Sequence, residues 1–230
     1  MKIAIFGDSL TAGTPGASYF ELLQRLLPEH ELLNYGRGGD AVKDAYNLIS
    51  ALPPAQAYDL AFLWIGTNDV FMKVSPTFAM LRILRGQARV SDMEAFGRTY
   101  QATLEALRAK AKRVLTVSPW FVGEDVDNRW NRELDDLAAI VKDLSAPHDD
   151  VGYIDLRTLF KAKLAAKPTS DYVARGLLGI GRDLMALDDM EHVNRQASER
   201  GLYYTLDGTH LNGRGAHIIA GIFAAAINSA

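Results

Sequence analysis

Met1-Lys-Ile-Ala-Ile-Phe6-Gly-Asp-Ser9-Leu10 opens the chain, and its reading decides the fold. Lys2–Phe6 is a brief run, apolar after its first residue and without polar alternation, and a glycine ends it. That pattern predicts a strand covered on both faces, which is the signature of a parallel sheet between helix layers. The same kind of run returns at Glu31–Tyr35, Leu60–Ile65, Arg113–Ser118 and Gly152–Asp155. Segments of helical period separate these runs, at about Ser18–Leu27, Ala41–Ala51, Met93–Lys110 and Arg129–Leu144. A last helix is expected from about Gly213 to Ile227, with Asn212 as its N-cap. Ser91-Asp-Met-Glu94 has the capping-box pattern at the start of the third helix.

Strand-helix alternation of this kind predicts an α/β fold, with a central parallel sheet between two layers of helices. At 230 residues, with 48% hydrophobic and 23% charged residues, the chain can bury a full core. No stretch rich in Pro, Gly or Ser divides it, so one domain over residues 1–230 is expected. Two stretches exceed the minimal alternation, at about 71–90 and 168–204. Connections this long are often lids or binding segments, and an extension of the core is the competing reading. The arginines at 82, 85 and 89 read best as a solvated helix face.

Net charge of −3 and a pI near 6.0 give no footing for nucleic acid or an anionic membrane. There is no cysteine, which excludes disulfides, thiolate metal sites and a thiol nucleophile. The first strand starts too early for a signal-peptide core, and no run is long enough to span a bilayer. A cytoplasmic protein is the expectation; oligomeric state is not legible. His30, His148 and His192 lack ligand spacing, so no metal site is expected, and His217 reads as packing or surface. Trp64 and Trp120 read as core.

In open parallel sheets, ligands bind beyond the carboxyl ends of the strands. Ser9, Gly39 and Asn68 each follow one of the first three strands, so they converge on one sheet edge. Near the other end lies Asp207-Gly-Thr-His210. A serine hydroxyl is a weak nucleophile until an adjacent base takes its proton. Asp207 and His210 are close enough in sequence for a carboxylate to hold an imidazole tautomer while the other ring nitrogen faces Ser9. Acyl transfer also needs donors for the oxyanion: the Ser9 N–H, the Gly39 N–H and the Asn68 amide are candidates. Asp8 is expected to shape the turn rather than react. The apolar residues after Asn68, among them Phe71, Met72 and Phe78, are candidates for a substrate wall.

Gly7-Asp8-Ser9-Leu10, Gly39, Gly66-Thr67-Asn68-Asp69 and Asp207-Gly208-Thr209-His210 together resemble the four blocks of the SGNH (GDSL) hydrolase family. The resemblance spans nearly the whole chain in the order Ser, Gly, Asn, Asp, His. It implies a flavodoxin-like three-layer α/β/α fold and esterase or lipase activity on a small-molecule ester, without a cofactor. By carry-over it makes Ser9 the nucleophile, His210 the base, Asp207 its orienting acid, and Gly39 and Asn68 oxyanion donors. Gly39 is preferred over Gly36 and Gly38 because the family glycine follows the strand-end asparagine, here Asn34, by about five residues. Leu211 departs from the pattern, where proline is common.

Other readings compete for the same residues. Gly36-Arg-Gly38-Gly-Asp-Ala41 fits a dinucleotide fingerprint, but it follows the second strand, and Asp59 begins a strand instead of ending one. The α/β-hydrolase elbow needs G-x-S-x-G, which Gly7-Asp-Ser9-Leu-Thr does not supply. A carbohydrate-binding module without catalysis has no need of Ser9, Asp207 and His210 together, whereas an acyltransferase would use the same acyl-enzyme.

Overall fold

The structure is a computed structural model, and it describes residues 1–53, 57–87, 90–168, 170–174 and 190–230. Five strands form one sheet: β1 (Lys2–Gly7), β2 (Glu31–Gly36), β3 (Tyr58–Trp64), β4 (Ala111–Val117) and β5 (Val151–Ile154). Their order is β2-β1-β3-β4-β5 and every pairing is parallel. This is the flavodoxin-like doubly wound order, which reverses direction beside the first strand.

Side chains of β1 alternate between the two faces, as strand geometry requires. Ile3 and Ile5 face one layer, built from α2 (Tyr19–Leu26), α8 (Leu156–Leu164) and α10 (Gly213–Asn228). Ala4 and Phe6 face the other, built from α3 (Val42–Ala51), α4 (Thr67–Val74), α6 (Met93–Arg108) and α7 (Arg129–Ser145). Large rings fill the first layer: Phe62 of β3 stacks on Phe223 of α10 at 4.6 Å, and Trp64 and Trp120 are each 1% exposed. Burying a side chain of this size contributes roughly 1.5–3 kcal/mol.

All five expected strands are present, β3 and β4 starting two residues early. The edge strands β2 and β5 are only half-buried, because each has a neighbour on one side alone. The expected helices also form, and Asn212 caps α10 by accepting the Gly215 N–H. One cap is corrected: Asp92, not Ser91, caps α6 by accepting the Ala95 N–H at 2.8 Å, and Ser91 Oγ bonds to that carboxyl. An aspartate one residue nearer the helix reaches the free N–H groups more directly.

Within 71–90, the described residues are more regular than expected. Phe71–Val74 completes α4, and Pro76–Leu84 forms α5. Ser75 caps α5 through the Phe78 N–H, with Pro76 at the first helical position, a start signal that the sequence carries. Within 168–204, the described residues include α9 (Met190–Glu199); residues 169 and 175–189 lie outside them. The solvated arginine face needs correction. Arg82 is 2% exposed and pairs with Asp44 at 2.6 Å, whereas Arg85 is exposed and Arg89 lies outside the described residues.

Candidate active site

β1 ends at Gly7, and the chain turns at once into the one-turn helix α1 (Ser9–Ala12). Asp8 caps it, its Oδ1 accepting the Leu10 N–H at 2.9 Å, so Asp8 shapes the turn as expected. Ser9 therefore stands at the first helical position, where the N–H has no intrahelical acceptor.

The far end of the chain returns to this point. Ser9 Oγ lies 2.9 Å from His210 Nε2, across 201 residues of sequence. His210 Nδ1 lies 2.7 Å from Asp207 Oδ2, and Asp207 Oδ1 accepts the backbone N–H groups of Thr209 and His210 at 2.9 and 2.7 Å. Burial pushes the Asp207 carboxyl up. The opposing charge and hydrogen bond of His210, with the two backbone donors, outweigh it, and the net shift is down. Gly208 makes the tight turn possible with φ +89°, and a Cβ there would stand 2.4 Å from the Tyr172 carbonyl.

A residue with no motif around it holds this segment. Glu124 is 1% exposed and accepts the backbone N–H groups of Tyr203, Tyr204 and Thr205, each at 2.7 Å, and the Thr205 hydroxyl at 2.8 Å. The Gly208 carbonyl accepts the Gly123 N–H at 2.6 Å. In sequence, Glu124 is indistinguishable from any acid in a polar loop.

Gly39 sits in a turn after β2 that is closed by the Asp40 N–H to the Arg37 carbonyl at 3.1 Å. Its φ of +83° is one that glycine alone adopts freely, and a Cβ would meet the Phe78 ring at 3.4 Å. Gly38 and Gly39 line the same cavity as Ser9, whereas Gly36 is packed against the backbone of α1. Asn68 stands in the first turn of α4, with Nδ2 donating to the Asp40 carbonyl at 2.9 Å and to Asp8 Oδ2 at a long 3.3 Å.

A cavity of about 360 Å³ joins these groups. Ser9, Gly39, Asn68, Asp207 and His210 all line it, and Pro15, Phe71, Phe78 and Leu81 form its apolar wall. Phe71 and Phe78 meet edge to face at 5.3 Å. Met72 is buried and does not line the cavity. Among the described residues no cluster of histidine or carboxylate side chains is arranged to hold a metal ion. No helix among them is long and apolar enough to cross a membrane.

Behind the cavity lie three buried acids, Asp8, Asp40 and Asp69. Burial pushes Asp8 up to about 6 and Asp69 up to about 7. Burial and the neighbouring Asp44 charge push Asp40 up to about 7. Each therefore keeps its proton in the folded state at pH values where the unfolded chain, with an ordinary aspartate value near 3.8, has released it. Their contribution to stability is complete below about pH 4 and is lost as pH rises through about 6–7. The midpoint of thermal unfolding is expected to be higher at pH 5.5 than at pH 8, and Asp69→Asn should narrow that difference. Calorimetry showing the reverse trend in the wild-type protein would overturn this.

Comparison with known proteins follows the geometry. The model of a family described as the GDSL-like lipase/acylhydrolase family matches residues 5–218. Comparison with curated protein sequences finds no match. Among solved structures, the acetyl xylan esterase AlAXEase is 23% identical with a TM-score of 0.66, the alignment covering 99% of this chain and 100% of that one. LAE5, described as an alpha/beta hydrolase enzyme from the metagenome of Lake Arreo, Spain, is 19% identical with a TM-score of 0.67, covering 99% and 94%. Axe2, an acetylxylan esterase from Geobacillus stearothermophilus, is 19% identical with a TM-score of 0.60, covering 88% and 94%. At these identities the likeness is one of fold.

Proposed function

Because the chain belongs to the GDSL-like lipase/acylhydrolase family and is an ester-cleaving hydrolase, we propose that it works through an acyl-enzyme on Ser9. The observation that carries this reading is the unbroken line from Ser9 Oγ to His210 Nε2 at 2.9 Å and from His210 Nδ1 to Asp207 at 2.7 Å. In the scheme, Ser9 Oγ adds to the ester carbonyl as His210 Nε2 takes its proton. Collapse of the tetrahedral adduct expels the alcohol, which receives that proton from His210. Water then adds to the acyl-enzyme, again giving a proton to Nε2, and the acid leaves as Ser9 recovers its hydrogen. Asp207 stabilises the imidazolium and stays ionised throughout, in keeping with its lowered pKa. The scheme needs no cofactor.

The developing oxyanion is assigned to the N–H groups of Ser9 and Gly39 and to the Asn68 amide. Supporting this, the Gly39 N–H has no acceptor among the described residues, and Gly39 and Asn68 share the cavity with Ser9. One amide hydrogen of Asn68 stays with the Asp40 carbonyl. The other leaves its long contact to Asp8 for the substrate oxygen.

Treatment with a fluorophosphonate, read by intact mass and peptide mapping, tests the scheme. A single adduct on Ser9 that is lost in His210→Ala is expected; no adduct on folded protein would sink it and favour a binding module. The cavity wall points to esters of short or medium acyl chains. Phe78→Ala, which widens that wall, should shift the preferred chain in a p-nitrophenyl ester series towards longer acids by two or more carbons. An unchanged profile would take α5 out of the acyl pocket.

A further inference from the structure

The helix α5 is built inside out. A surface helix normally turns apolar side chains inward and charges outward. Here Met80, Ile83 and Leu84 are 62%, 72% and 71% exposed, while Arg82, the one charged residue of the helix, is 2% exposed. A guanidinium stays charged, and taking it out of water is costly unless its donors are well used. Its two terminal nitrogens are turned to the chain that follows β2. Arg82 donates one N–H to the Gly39 carbonyl and another to Asp44 Oδ2 at 2.6 Å. That same oxygen accepts the Ala41 N–H at 2.9 Å.

All of these partners lie on or beside the turn that carries the Gly39 N–H. The turn has other ties: the Arg37 N–H to the Gly7 carbonyl at 3.1 Å, its own closing bond, and Asn68 to the Asp40 carbonyl at 2.9 Å. The bond from Arg82 takes the Gly39 carbonyl, on the same peptide unit as the Asp40 N–H of the closing bond, so that unit is gripped from both edges directly after the residue whose backbone is intrinsically the least restrained.

We propose that Arg82 is a positioning residue for acyl transfer, bracing the Gly39 turn from α5 so that the Gly39 N–H points at the developing oxyanion. This rests on the acyl-enzyme reading and deepens it. It also gives α5 two tasks: Phe78 and Leu81 form the acyl wall, and Arg82, next to Leu81, sets the oxyanion geometry. A displaced donor acts on the transition state and not on ground-state binding, so the effect belongs in kcat.

The test uses Arg82→Lys, Arg82→Ala and Asp44→Asn, with kcat and KM measured on p-nitrophenyl acetate and folding checked by circular dichroism. Arg82→Lys and Arg82→Ala should lose on the order of 10²-fold in kcat, as for loss of an oxyanion donor, with KM within about threefold of wild type. Millimolar guanidinium ion should restore Arg82→Ala by about tenfold or more and leave the wild type unchanged, because it refills the vacated brace. Asp44→Asn still accepts the Ala41 N–H and weakens the pairing with Arg82. It covers the case in which the arginine variants do not fold, with about a tenfold fall in kcat expected. Folded Arg82 variants with kcat within threefold of wild type, or a loss confined to KM, overturn the proposal. So does an unchanged Asp44→Asn kcat where the arginine variants fail to fold. If Asn68→Ala loses its turnover while these variants do not, this inference alone fails; if neither loses turnover, the oxyanion assignment fails with it.

Discussion

Ser9→Ala and His210→Ala should each lower ester turnover by about 10³–10⁶-fold, and the double variant should fall no further than the worse of the two. The reason for non-additivity is geometric. Ser9 Oγ and His210 Nε2 share one proton-transfer line of 2.9 Å, so removing either end disables the whole line. The loss should not be one of folding. The cap of α1 is Asp8, not Ser9, and the Ser9 hydroxyl makes its hydrogen bond to His210. The midpoint of thermal unfolding in Ser9→Ala should therefore stay close to wild type. Asp207→Asn belongs to the same unit and should cost about 10⁴-fold. Its amide oxygen can still take the Thr209 and His210 N–H groups that Oδ1 takes now, while its NH2 would face Nδ1 and force the wrong tautomer. Steady-state kinetics on a p-nitrophenyl ester decides the matter: turnover in Ser9→Ala within tenfold of wild type would mean that Ser9 is not the nucleophile.

The second large effect is expected at Asn68. Asn68→Ala should lower kcat by about 10²–10³-fold with little change in KM, because a preorganised oxyanion donor acts mainly on the transition state. The side chain is 6% exposed and spans from the Gly39 turn to the Asp8 carboxyl. Its loss therefore also loosens the Asp40 carbonyl, and part of the fall will come through the turn. A kcat within tenfold of wild type would remove the amide from the oxyanion hole.

The fold was largely legible. Lys2–Phe6 and the run that becomes β3 are apolar because central strands are covered on both faces, and the alternation of such runs with helical segments marks the parallel sheet. The motifs of the candidate site were legible for a related reason: strand ends in a parallel sheet converge on one edge. What stayed hidden depends on contacts between distant segments. Arg82 lies in a helix that is apolar nearly all round, so periodicity offers no phase from which to tell inside from outside. The buried acids Asp40 and Asp69 sit next to motif glycines and asparagines and look like ordinary turn residues. Glu124 shows its purpose only once the stretch from Tyr203 to Thr205, some eighty residues on, folds against it. The shift of the α6 cap from Ser91 to Asp92 is a smaller matter, since two capping residues in succession compete for the same N–H groups.

The grip of Glu124 has a consequence for how the molecule breathes. Irregular segments generally open first, in fluctuations far smaller than global unfolding. The segment before Asp207 cannot open so cheaply, because releasing Tyr203, Tyr204 and Thr205 would leave a buried carboxyl without any of its four donors. Opening there must draw in the loop after β4, which is tied to Gly208 through Gly123. The imidazole and its partner acid are thus joined to a cooperative unit well beyond their own turn. On warming, this site should stay whole until that unit melts, and amide hydrogens in this irregular stretch should exchange as slowly as those of a strand.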